Sequence, residues 1–292
     1  MGKHHPECPE RLQVIEDQLI LSRIDYFFTR IDPPLATEEQ LALVHSKDHI
    51  EFVKANSPAE GYYAIDGDTT MNPYTWQAAL RSAGGAIAAV DAVMAGEVKN
   101  AFSCLRPPGH HAEPTQSMGF CFFNNIAIAA KHALVNHGLE RVAVVDFDVH
   151  HGNGTEAALK DEPRALMCSF FQHPFYPYSG SENPAPNMLN VPLPAYSAGP
   201  AVREVVELAW LPRLREFAPQ LILISAGFDA HREDDMGQMG LVESDYAWIT
   251  RQLMTVAKET ANGRIVSCLE GGYNLSSLAR SVVAHLKELA DL

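Results

Sequence analysis

The chain has little positive charge and no apolar run long enough to cross a membrane. Lysine and arginine number 22 against 36 aspartates and glutamates, a formal charge of −14. That balance argues against a nucleic-acid partner and is compatible with cationic substrates. No stretch approaches the ~20 apolar residues of a membrane span, and no signal peptide is visible at the start. A cytoplasmic protein without a membrane partner is therefore expected. Cysteine is scarce and scattered: Cys8, Cys104, Cys121, Cys168 and Cys268 are odd in number and form no CxxC pair. They read as reduced, mostly buried thiols rather than a disulfide framework. Tryptophan falls to three while histidine reaches 13, which turns attention to metal and acid–base chemistry. Repeats, low-complexity tracts and linkers are also missing. With 292 residues, 47% hydrophobic and 20% charged, the sequence reads as one large domain spanning 1–292. Nothing in it fixes the oligomeric state.

Short apolar runs predict parallel strands at Ala101 to Leu105, Val142 to Phe147, Ala165 to Phe170, Leu221 to Ala226 and Ile265 to Leu269. Helical patterns lie between or after them, at Thr75 to Met94, Asn124 to Asn136, Ala201 to Phe217, Asp245 to Ala261 and Ser276 to Ala290. This alternation predicts an α/β fold with a mostly parallel sheet and helices on both faces. Ligand chemistry in such folds gathers beyond the carboxyl ends of the strands. The Pro/Asn-rich segment His173 to Pro194 reads as a long surface excursion walling that site.

The most informative run is Asp146-Phe147-Asp148-Val149-His150-His151-Gly152-Asn153-Gly154. Residues i, i+2 and i+4 of a strand share a face, so Asp146, Asp148 and His150 are expected to converge where the strand ends. Two carboxylates and an imidazole suit a divalent metal, Zn²⁺ among them. Asp229, in Ser225-Ala226-Gly227-Phe228-Asp229-Ala230-His231, follows another strand and offers a third ligand. Three protein ligands leave one position open, the pattern of a catalytic zinc. Arg106-Pro107-Pro108-Gly109-His110-His111 is a stiff loop presenting two adjacent imidazoles, and Leu269-Glu270-Gly271-Gly272-Tyr273-Asn274 permits a sharp turn that aims a phenol inward.

In this order and spacing, RPPGHHA, GFCFFNN, DFDVHHGNG, SAGFDAH and LEGGYN resemble the zinc-dependent histone deacetylase family, most of all its class II and bacterial branch. The opening His5-Pro6-Glu7-Cys8-Pro9-Glu10-Arg11-Leu12 resembles it too. The resemblance covers nearly the whole chain and implies the arginase/deacetylase fold, a three-layer α/β/α domain. It implies zinc on Asp148, His150 and Asp229. It makes His111 the main general base and later acid, with His110 beside it, Asp146 orienting His110, Asn153 orienting His111, and Tyr273 stabilising the oxyanion. Gly119, Phe120, Tyr176, Met236 and Gly272 would line the substrate channel. A potassium ion would be held by Asp146, Asp148, backbone at His150 and Phe170, and the Ser169 hydroxyl. The substrate implied is an acyl-lysine peptide or protein, or another acylated amine.

Three rival readings make different demands on the sequence. An acetylpolyamine amidohydrolase of the same fold would place Glu seven residues beyond the last zinc ligand, where this chain has Met236, although Glu233, Asp234 and Asp235 precede it. A binuclear manganese ureohydrolase needs further bridging carboxylates, where Phe228-Asp229-Ala230-His231 supplies one. A silent acyl-lysine reader would have no use for Tyr273 and the histidine pair. Members of the family it resembles also carry a strand before the HPExPERL segment, which here starts near Met1, so either the start site is misplaced or the fold lacks one strand.

Overall fold

The computed structural model describes residues 1–2 and 4–292. In chain order come α1 (Glu10–Leu21), α2 (Glu38–Leu41), α3 (Lys47–Ala55), β1 (Tyr63–Ala64), β2 (Thr70–Met71), α4 (Thr75–Met94), β3 (Asn100–Ser103) and α5 (Asn125–Val135). Then follow β4 (Val142–Asp146), α6 (Asn153–Leu159), β5 (Ala165–Gln172), β6 (Met188–Leu193), α7 (Gly199–Val205), α8 (Leu211–Phe217), β7 (Leu221–Ala226), α9 (Glu243–Thr260), β8 (Ile265–Leu269) and α10 (Leu275–Leu289). Among the described residues, six strands form one parallel sheet in the order β3-β8-β7-β4-β5-β6. The short β1 and β2 pair apart from it, antiparallel, with Tyr63 opposite Met71.

Side-chain alternation along the central strands produces the three layers. Ala143 and Val145 of β4, Leu166 and Cys168 of β5, and Ile222 and Ile224 of β7 join one core with residues of α1, α8, α9 and α10. Their neighbours Val142, Val144, Ala165, Met167, Leu221 and Leu223 join the opposite core with α4 and α5. Burial on both faces explains why these strands are continuous apolar runs rather than alternating ones. A third, smaller core packs α3 and the β1–β2 region onto α4 through Ile50, Val53, Met71, Leu80 and Ala83. No helix of the described residues is long and apolar enough to cross a membrane.

Several expectations need correction. The strand predicted at Val142 to Phe147 ends at Asp146, and that predicted at Ala101 to Leu105 ends at Ser103. The excursion predicted from His173 to Pro194 holds a sixth strand, β6, which pairs in parallel with β5 with Phe170 opposite Val191. Pro192 inside it lacks a donor, which only an edge strand tolerates, and β6 is at the edge. The helix predicted at Ala201 to Phe217 contains a π segment, Val206–Trp210. Its cause is local: Pro212 has no N–H for an i→i−4 bond, and Leu211 donates one residue further back, to Val206. Helix α1 was not anticipated; it buries Arg11, Ile15 and Leu19 at a four-residue spacing.

Candidate active site

Asp148 and His150 lie beyond β4, so strand periodicity does not bring them together. Two successive carboxylate-capped turns do. Asp146 Oδ1 accepts the Asp148 N–H at 3.1 Å, and Asp148 Oδ1 accepts the His150 N–H at 2.9 Å. Asp229, carried by the loop after β7, accepts the Val149 N–H at 2.9 Å through Oδ1. Its Oδ2 points into the same space. A ligand atom from each of Asp148, His150 and Asp229 lies within 4.8 Å of the others, and all three residues are buried.

The polar atoms here do not balance among themselves. His150 Nδ1 is 3.0 Å from Asp148 Oδ1 and 3.2 Å from Asp229 Oδ2, and one N–H cannot serve both. Among the described residues Asp229 Oδ2 is buried with no hydrogen-bond partner, an arrangement that costs ~1–3 kcal/mol for even a neutral group. Burial, then the nearby Asp148 charge, pushes Asp229 up to about 7, whereas the two carboxylates raise His150 to about 10 against its burial. Backbone comes close to these oxygens with no side chain in the way: the Gly271 N–H donates to Asp148 Oδ2 at 2.9 Å, and a Cβ there would stand 2.0 Å from Asp229 Oδ2. Two carboxylates and an imidazole, buried and converging, with Asp229 Oδ2 lacking a partner among the described residues, suit a divalent cation of the zinc type.

The histidine pair sits against this cluster on the loop after β3. Glu270, at the end of β8, fixes that loop: Oε2 accepts the Gly109 and His110 N–H groups at 2.7 and 3.1 Å, and Oε1 accepts from Ser225 Oγ at 3.2 Å. Burial raises Glu270 to about 7. The two rings are 4.0 Å apart, centroid to centroid, yet their surroundings differ. His110 Nδ1 is 3.0 Å from Asp146 Oδ2 and Nε2 is 3.8 Å from Asp148 Oδ2. Burial alone would lower His110, but the Asp148 and Asp146 charges outweigh it and hold the ring well above the ordinary range. His111 Nδ1 meets the neutral Asn153 Oδ1 at 2.8 Å. The Asn153 amide nitrogen donates to Glu113 Oε1 at 2.7 Å, so its oxygen must face His111. His111 therefore carries its hydrogen on Nδ1 and leaves Nε2 as a free lone pair. Burial, with His110 and His150 charges adding to it, holds His111 well below the ordinary range.

Tyr273 closes the opposite side. Asp234 accepts the Tyr273 and Asn274 N–H groups at 2.6 and 2.8 Å, and Arg11 donates to the carbonyls of Gly272 and Glu270 at 2.7 and 2.5 Å. The Arg11 guanidinium lies 4.8 Å from the Tyr273 ring centroid. Among the described residues no hydrogen bond engages the Tyr273 hydroxyl, and burial keeps it protonated by pushing its pKa well above 10.

Phe120 meets the Tyr273 ring edge-on at 5.7 Å, and Tyr176 stands 5.2 Å from the His111 ring. Phe175 stacks on His150 at 5.5 Å. Gly119 must be glycine: its φ is +55°, and a Cβ would lie 2.5 Å from His111 Cδ2 and 3.0 Å from the Tyr176 hydroxyl. Thr69 Oγ1 accepts the Phe120 N–H at 3.1 Å, which ties this wall to the β1–β2 region. Gly272, at φ +113°, makes the turn that aims Tyr273. Met236 is half-buried in the Asp234 turn, its N–H bonded to Asp234 Oδ1 at 3.0 Å. Ser169 pairs in register with Asp146, and its hydroxyl donates to Asn190 Oδ1 at 3.2 Å; Phe170 follows it in β5, fully buried.

Thus the structure brings His110, Asp146, Asp148, His150 and Asp229 into mutual contact, sets the Asn153-bonded His111 beside them, and carries Tyr273 on the turn that flanks Asp229. Glu270, Asp234, Glu113 and Arg11 were missed as supports. Arg11 contacts Gly272 across 261 residues of sequence, and no local pattern signals such a partnership; its appearance in a segment resembling the family was the one available hint.

Comparison with known proteins agrees with this geometry. Residues 5–289 match the histone deacetylase domain family. The histone deacetylase-like amidohydrolase of Pseudomonas aeruginosa is 39% identical over 295 residues, spanning 99% of this chain and 77% of that protein. The polyamine deacetylase HDAC10 of Homo sapiens is 37% identical over 97% of this chain and 45% of its own length. Among solved structures, the HD domain of HDA15 superposes with a TM-score of 0.93 and 33% identity, covering all of this chain and 84% of that one. A three-layer parallel sheet with its polar residues at the strand ends, shared over nearly the entire length with proteins of this kind, places the chain in the histone deacetylase family.

Proposed function

We propose that residues 1–292 form one deacetylase domain, a zinc-dependent amidohydrolase that removes acyl groups from lysine-type amines. The observation that carries this reading is the buried Asp148–His150–Asp229 cluster with the His111 ring 5.7 Å from that of His150, its Nδ1 engaged by Asn153 so that Nε2 is left as the base. Asp148, His150 and Asp229 would hold the zinc. When bound, Zn²⁺ supplies Lewis acidity toward an amide carbonyl and makes water a better nucleophile at neutral pH. His111 Nε2 takes the proton of the attacking water and delivers it to the departing amine nitrogen. Asn153 and Glu113 keep the tautomer that this requires. His110, held cationic by Asp146 and Asp148, contributes positive charge beside the reacting carbonyl. The Tyr273 hydroxyl donates to the oxygen as negative charge develops. Gly119, Phe120 and Tyr176 form a narrow wall suited to an extended acyl-amine and exclude bulk water. A potassium ion beside Asp146, Asp148, His150, Ser169 and Phe170 would steady the turns after β4.

The runner-up is an acetylpolyamine amidohydrolase, the activity named for the human relative. Two of the acids that could attract a polyamine are otherwise engaged. Asp234 is buried under the Tyr273 backbone, and Glu233 pairs with Arg280 at 2.8 Å. This favours acyl-lysine. The test is kcat/KM of the zinc-loaded enzyme on acetyl-lysine peptides, longer acyl-lysines, trifluoroacetyl-lysine and acetylated polyamines. Preference for lysine peptides supports the reading; preference for polyamines replaces it with the runner-up; zinc retention without turnover on any of them points to a binding role.

A further inference from the structure

Helices α4 and α5 lead into β3 and β4, so their carboxyl termini meet at the amino edge of the sheet, opposite the candidate active site. Asp91 lies in the last turn of α4, His132 in the last turn of α5, and His137 two residues beyond Val135, the last residue of α5. Both imidazole Nε2 atoms are 2.7 Å from the same oxygen, Asp91 Oδ1. The rings stand 5.3 Å apart at 76°. We propose that Asp91, His132 and His137 form a second divalent-cation site, taking Zn²⁺ or a kindred borderline transition metal through two imidazole nitrogens and one carboxylate oxygen.

Three features point to a cation here. The first is the donor set: three ligand atoms of the right kinds lie within 4.8 Å of one another, and imidazole with carboxylate suits zinc, nickel and copper. The second is the placement of Asp91. A carboxylate in the last turn of a helix faces the partial negative charge of the helix terminus, and two such termini converge at this point. A cation reverses both repulsions. The third is preorganisation. His132 sits on a helix and is nearly buried, and His137 is held by a tight exit from α5. The Asn136 N–H bonds the His132 carbonyl at 2.8 Å, and the Leu139 N–H bonds the Ala133 carbonyl at 3.2 Å.

Asp91 is 51% exposed in its side chain and His137 26%, which leaves an approach from solvent and room for water to complete the coordination. Tetrahedral zinc sets ligand atoms roughly 3.3 Å apart, so the 2.7 Å separations must open slightly. Asp91, on the exposed side, is free to make that adjustment. The bound ion would clamp the end of α4 to the end of α5.

The rival explanation is a pair of imidazole N–H groups sharing one carboxylate with no metal. Equilibrium dialysis of untagged protein against Zn²⁺ at pH 7.5, with metal counted by elemental analysis, separates the two. The proposal expects two equivalents in the wild type and one in His137→Ala, whose deacylase rate stays unchanged. Asp91→Asn should also fall to one equivalent. Asp229→Ala should keep one equivalent, the one that His137→Ala loses. A His137→Ala variant that binds as many equivalents as the wild type overturns the proposal. Circular dichroism of each variant shows whether a lost equivalent reflects misfolding. Because His137 lies outside the candidate active site, failure here would leave the deacylase reading intact.

Discussion

Asp148 and Asp229, at the carboxyl ends of the strands, are fully buried, whereas Asp91, at the amino edge, keeps half its side chain in water. Each group stands with histidine in a three-residue cluster that could hold a metal. The difference is desolvation. Burial drives Asp229 up to about 7, while at Asp91 the His132 and His137 partners hold the carboxyl below its usual range despite partial burial. A buried unpaired charge is costly enough to need a permanent counterpart. On the proposed reading, a cation would offset more at the carboxyl edge than at the amino edge. The surrounding support follows the same division. Gly271, Glu270, Asp234 and Arg11 brace the buried cluster, and a single helix exit braces the exposed one.

The sharpest break of this comparison is Asp229→Ala. It should remove zinc from the carboxyl edge and lower turnover by on the order of 10³-fold or more, since several kcal/mol of charge stabilisation are lost. Metal counting with steady-state kinetics checks both; zinc content unchanged at that edge would sink the ligand assignment. Tyr273→Phe should leave zinc in place yet reduce kcat by roughly 10²–10³-fold, the usual loss for one oxyanion donor. Near-normal turnover would remove the phenol from the chemistry. Asn153→Asp sharpens the role of burial. A carboxylate behind His111 favours the protonated ring, and a base works only when deprotonated. The ascending limb of the kcat/KM profile should accordingly move to higher pH, by roughly 1–3 units; a limb that stays put or moves down would assign the base elsewhere. The smallest effect belongs to the amino edge, where His137→Ala should change the deacylase rate less than about twofold, as distant surface changes do.

How far the sequence discloses each edge follows from the same contrast. The carboxyl edge was legible because β4, β7 and β8 are apolar runs ending in short polar segments, so Asp146, Asp148, Asp229 and Tyr273 stand beside the strands that place them. Even so, the i, i+2, i+4 argument misplaced the cause of the convergence, since turns rather than strand pleat bring Asp148 to His150. The amino edge was illegible: Asp91 and His132 sit on separate helices 41 residues apart, and nothing local joins them. β6 escaped notice because an edge strand is half-exposed and admits Pro192, which blurs both hydrophobicity and periodicity. Glu270 passed as part of a glycine turn, because its partners, Gly109 and His110, lie about 160 residues earlier.

That last separation governs when the site can exist during synthesis. The histidine loop, near residue 110, leaves the ribosome long before Glu270 does. Until β8 docks between β3 and β7, the N–H groups of Gly109 and His110 lack the Glu270 carboxylate that anchors the loop in the folded chain. Nascent chains shorter than about 270 residues therefore cannot hold the imidazole pair in working order, however much of the sheet has already formed. Activity should arise in one late step, when the last strand is inserted beside the first.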